Sequence, residues 1–154
     1  MPSILAMLVL ALAIDGGPVR TDAYPHAHAR RGCTQEDAPA LEIYLTPQRT
    51  EGPGQPAPPY VHIEVAWTDW DAAASTRLEL VPLSRHGVDP RKPVVRAELV
   101  REAGQSIWLR GTLQLRAVDI GKRVDGTYRF IGPGDEPLNG TFIATWTESP
   151  GGCG

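Results

Sequence analysis

With 154 residues, a formal net charge of −3 and 42% hydrophobic residues, the chain is long enough for one domain with a single core and too apolar to stay disordered. Its mild acidity leaves no electrostatic footprint for nucleic acid or for an anionic membrane surface. Composition and motifs exclude these classes without naming an activity.

The first feature in chain order is an apolar run, Ile4 to Ile14, followed by Asp15-Gly16-Gly17-Pro18. Eleven helical residues span roughly 16 Å, about half of a bilayer's hydrocarbon, so the run predicts a secretory leader and not a stable membrane span. Ala11-Leu12-Ala13 fits a small-x-small cleavage site, which makes residues 1–13 the signal peptide and places the mature start near Ile14. Residues 14–39, rich in Gly, Pro, Ala and charge, read as a linker or flexible arm. Within them His26-Ala27-His28 has the residue types of a metal-binding pair, but two ligands do not make a site. Cys33 and Cys153, the only cysteines, sit just before and at the far end of a single β domain at residues 40–154 and predict a disulfide formed in a periplasmic or extracellular space. Thirteen arginines against two lysines suggest a GC-rich bacterial genome, an association and not a physical argument.

From Leu41 onward apolar residues alternate with period two: Leu41/Ile43/Leu45, Val61/Ile63/Val65/Trp67, Leu78/Leu80 and Val95/Ala97/Leu99. This predicts an all-β fold, a small antiparallel barrel or sandwich of about seven strands. Between the first two runs, residues 47–59 carry five prolines, which suits a surface crossover or a lid over a partner site. Trp67 continues the inward alternation, whereas Trp70 falls in the loop beyond it. Ser84, His86 and Asp89 share one polar loop. Triad members are set by spatial geometry, and so close a packing gives no hydrolase relay.

The last third predicts a meander. A loop at Glu102-Ala103-Gly104 sets Leu99 opposite Ile107 and Ala97 opposite Leu109. A four-residue loop, Asp119-Ile120-Gly121-Lys122, pairs Ala117 with Val124, Leu115 with Gly126 and Leu113 with Tyr128. A turn at Gly132-Pro133-Gly134-Asp135, of type II by its central residues, sets Tyr128 opposite Gly140 and Phe142 opposite Gly126. Rings facing strand glycines argue for a strongly coiled sheet. Asn139-Gly140 is a competing turn signal, rejected because the alternation Leu138/Gly140/Phe142/Ala144/Trp146 runs straight through it.

Trp70 and Trp108, as exposed aromatics, are the candidate partner-binding residues. The expected role is an exported, non-catalytic binding or envelope-associated module with a protein or glycan partner. A barrel carrying a small ligand and, less favoured, a hydrolase are the alternatives. No catalytic, metal or cofactor residue is assigned.

Overall fold

The computed structural model describes residues 23–34, 37–52, 54–66, 74, 76–81, 93–102, 104–148 and 153. They form nine strands and, among the described residues, no helix: β1 His26–Cys33, β2 Pro39–Thr46, β3 Tyr60–Ala66, β4 Arg77–Glu79, β5 Val94–Glu102, β6 Gln105–Trp108, β7 Arg110–Asp119, β8 Arg123–Ile131 and β9 Pro137–Trp146. The leader, Trp67, Trp70 and the Ser84/His86/Asp89 loop lie outside these residues.

The fold is all-β, as the alternation requires. It is one mixed sheet in the order β4-β7-β8-β9-β1-β2-β3-β5-β6, curled into a half-barrel. Its margins touch. Leu80 N donates to Gly111 O and Val81 N to Val95 O, both at 2.9 Å, so the end of β4 bridges β7 and β5. Such closure protects strand edges that would otherwise template further pairing.

Two expectations are corrected. Residues 26–33 are not part of an arm: β1 sits mid-sheet, antiparallel to β2 and parallel to β9. Its inward face is carried by Ala27 and Ala29, too small to register as an apolar stripe, and its outward face by His26, His28 and Arg30. The parallel β1–β9 pair also makes the sheet mixed instead of wholly antiparallel, and β1 and the short β6 help bring the count to nine.

The inward faces build one core. Leu41, Ile43, Leu45, Val61, Ile63, Val65, Leu113, Leu115 and Phe130 are all fully buried, each worth about 1.5–3 kcal/mol of transfer energy. Tyr128, Phe130 and Phe142 fill the middle as tilted neighbours, with ring centroids 5.2 and 6.5 Å apart.

The expected glycine–ring register is present: Tyr128 faces Gly140 and Phe142 faces Gly126. A Cβ on Gly140 would lie 2.6 Å from the Tyr128 hydroxyl, and one on Gly126 2.7 Å from the Phe142 ring. Gly111 is required for another reason. It sits opposite Phe130 at φ +128°, where a side chain would run into the Arg129 carbonyl.

One register step differs. Lys122 N bonds Asp119 O, and Asp119 pairs with Arg123, so that turn is one residue shorter than expected. A bulge between Leu115 and Ala117 absorbs the difference, pairing Ala117 with Asp125 and Val118 with Val124. Past the bulge the facing reverses, and Val118 packs against the core. In the β8–β9 turn Asp135, not Gly134, takes the left-handed conformation, at φ 58°.

Candidate functional site

Alternation that sends aliphatic residues inward sends the intervening residues of β1, β2, β3 and β5 to the outer face. Register then lines them up across four strands. Arg30 faces Glu42, Glu42 faces Glu64, and Glu64 faces Arg96. In the adjacent row His28 faces Tyr44, Tyr44 faces His62, His62 faces Glu98, and Glu98 faces Trp108. A groove of about 370 Å³ runs over this surface, lined by Glu42, His62, Glu64, Arg96, Glu98 and Trp108 together with Cys33, Thr34 and Ser106. That volume lies near the lower end for small-molecule sites.

The groove is floored by alternating charge. Arg30 Nε meets Glu42 Oε2 at 2.6 Å, and Arg30 Nη2 donates to the Tyr44 hydroxyl at 2.8 Å. The Tyr44 hydroxyl in turn donates to Glu42 Oε2 at 3.3 Å. His62 Nδ1 lies 3.2 Å from Glu98 Oε1, and its Nε2 is 3.6 Å from Glu42 Oε1, an ion pair too long to be a hydrogen bond. Arg96 Nη1 and Glu64 Oε1 are 3.6 Å apart. Gly32 leaves room for this arrangement: a Cβ there would come within 2.6 Å of Glu42 Cγ.

Stacking fixes the rings. Tyr44 is sandwiched between His28 at 4.9 Å and His62 at 4.7 Å, both nearly parallel to it, with the Arg30 guanidinium 5.0 Å from its centroid.

These contacts set the protonation states. Burial alone would lower the His62 imidazole, but the close carboxylates of Glu42 and Glu98, the latter within hydrogen-bond distance, outweigh it and hold it at about 9. Burial would likewise raise the Glu42 carboxyl, yet His62 and Arg30 bring it down to about 2. The hydrogen bond from His62 is the main reason the Glu98 carboxyl lies below its ordinary value, against the opposing effect of burial. Tyr44 is pushed well up by burial, with Glu42 adding to the effect, so it remains a neutral phenol. At neutral pH the floor therefore holds Glu42 and Glu98 ionised and His62 protonated.

Of the sequence candidates, Trp108 lines this groove and is 45% exposed. Trp70 lies outside the described residues. Cys33 and Cys153 form the expected disulfide, with Cα atoms 5.6 Å apart, and Cys33 lines the groove. His26 and His28 share an outward face, but His26 is exposed while His28 is buried against Thr50. Among the described residues no group of three or more His, Cys, Asp or Glu side chains is placed to hold a metal ion, and no helix is long and apolar enough to cross a membrane.

The sequence alone does not single out Glu42, His62, Glu64, Arg96 and Glu98, which fall at the positions alternating with the apolar runs. Their signal was acid–base complementarity between successive strands, invisible until β3 is known to pair with β5 across the intervening residues. Comparison with known proteins supplies no shortcut. No family model, no curated protein and no solved structure matches the chain.

Proposed function

We propose that the protein is an exported, non-catalytic binding module whose outer groove takes a neutral glycan, with Trp108 as its stacking platform. The observation that carries this reading is the exposed Trp108 indole on the rim of a polar groove whose charges already compensate one another. A pyranose ring offers an apolar face to an indole and hydroxyls to everything else. Each hydroxyl both donates and accepts, so a single one can bridge a carboxylate such as Glu98 and an imidazolium such as His62. His62 Nε2 is buried without a hydrogen-bond partner, with Glu42 Oε1 3.6 Å away, and so retains a donor that a ligand hydroxyl can use. A charged ligand gains less here, because every ionised side chain it approaches has an opposite neighbour.

The alternatives draw less support. General acid–base hydrolysis needs a proton donor titrating near the working pH. Glu42 at about 2 and His62 at about 9 are both far from it. A carrier needs an interior with room for its cargo, and Tyr128, Phe130 and Phe142 occupy the middle of this one. Export rests on the apolar N-terminal run and on the Cys33–Cys153 bridge, since such bridges persist in oxidising compartments.

Calorimetric titration against neutral, uronic-acid and amino-sugar oligosaccharides tests the reading. Binding confined to the neutral set, weakened at least about tenfold (about 1.4 kcal/mol) by Trp108→Ala with an unchanged circular dichroism spectrum, is the expected result. Binding that Trp108→Ala leaves intact, or none in any set, defeats it.

A further inference from the structure

We infer that the connection from β2 to β3, described at residues 47–52 and 54–59, forms an acid-released strap over the outer face, latched by the imidazole of His28. Tyr44, Thr46 and Tyr60 belong to that outer face by strand parity, where solvent would ordinarily reach them. Each is only 2% exposed. Tyr44 and Tyr60 pack with Val100 as a small apolar cluster separate from the main core. The strap lies over this end of the face: Pro56 is buried, the Gln55 side-chain amide donates to the Tyr60 hydroxyl, and Thr50 Oγ1 lies 3.2 Å from His28 Nδ1.

His28 is the sensitive member of this latch. It is 5% exposed, and its Nε2 is buried without a hydrogen-bond partner. The imidazolium has two N–H donors and needs two acceptors, whereas the closed strap provides Thr50 for one nitrogen alone. Its charged surroundings are equally unhelpful. On β1, Arg30 is positive and His26 is exposed; on β2, Tyr44 stacks on the ring, and Glu42 is engaged by Arg30 and His62. From β9 the register partner is the uncharged Thr145, while Arg49 and Glu51 of the strap flank Thr50 and are exposed. Burial first and Arg30 second hold the imidazole below its ordinary 6.5, and Glu42 opposes them without reversing the direction.

A group held neutral in the closed form takes its proton more readily in the open one. Closure is therefore complete above about pH 6.5 and weakens below it, by at most about tenfold per pH unit for one proton. Opening bares Tyr44 and Tyr60 beside His62, on the same side of the sheet as Trp108. The strap stands on packing and hydrogen bonding and does not depend on the glycan reading.

Hydrogen exchange read by mass spectrometry on the disulfide-intact chain, at about pH 7.5 and about pH 5 and normalised for intrinsic exchange rates, tests it. Protection of peptides from residues 48–57 is expected to fall several-fold in acid while β7–β9 peptides hold theirs. His28→Gln should abolish that pH dependence. Should this variant not fold, Thr50→Ala is the second probe, expected to lower strap protection at both pH values and to spare β7–β9. Equal protection of the wild type at the two pH values, an unchanged acid effect in His28→Gln, or full strap protection in Thr50→Ala overturns the inference.

Discussion

Glu42 is the hinge of the outer-face network at the scale of single residues, because it neutralises Arg30 and His62 from a site only 8% exposed. Glu42→Gln takes the carboxylate from Arg30 and leaves His62 with Glu98 as its anionic partner, and is expected to cost about 3–5 kcal/mol, measured as a lower urea midpoint at unchanged slope. The pH dependence of stability follows from the same charges. His62 is raised from 6.5 to about 9, so the stability it adds is complete below about pH 6.5 and is lost as pH climbs through about 9. Glu42 is lowered from 4.5 to about 2, so its contribution is complete above about pH 4.5 and is lost as pH falls through about 2. Denaturation midpoints across pH should therefore decline on the alkaline side between about 6.5 and about 9. His62→Gln should flatten that limb, and a limb of the same steepness in the variant would assign it elsewhere. None of this was legible in the sequence, where His62 alternates with Val61 and Ile63 like any solvated strand residue. What makes it special comes from Glu42 and Glu98, at sequence distances that only the strand order closes.

Strands and turns were far more legible. The Tyr128–Gly140, Phe142–Gly126 and Leu113–Tyr128 pairs follow from period two and turn length, since a hairpin fixes its own register. Where the reading slipped, at Ala117 and Val118, a bulge traded one turn residue for one strand residue, and alternation cannot reveal such a trade. β1 escaped for a different reason: alanines on its core side leave almost no hydropathy contrast. The glycines separate two kinds of constraint. Gly104, at φ +79°, has open space around it, while Gly111 combines φ +128° with a blocked Cβ position. Replacing Gly104 by alanine should cost about 1 kcal/mol of backbone strain, whereas Gly111→Ala should cost about 3 kcal/mol or more. Thermal melts of the pair check the order, and equal costs would mean that β7 and β8 shift freely apart.

The whole molecule is a sheet curled until its margins touch, with the Cys33–Cys153 bridge joining β1 to a residue 120 positions later. Closing a loop of that length stabilises by about 5 kcal/mol in the chain-entropy model, so reduction should lower stability by up to that amount. The same bridge borders the groove, and reduction should weaken ligand binding along with stability. Length, alternation and the placement of two cysteines were enough to expect one β domain and a covalent tie. They could not say that the outer face, not the interior, would carry the candidate site. That claim is tested most directly by titrating an isotope-labelled chain with a neutral oligosaccharide and following backbone amide shifts by nuclear magnetic resonance. Shifts gathered on β2, β3, β5 and β6 around Glu42, His62, Glu98 and Trp108 are the expected outcome. Shifts gathered on β7–β9, or among the core residues Tyr128, Phe130 and Phe142, would contradict it.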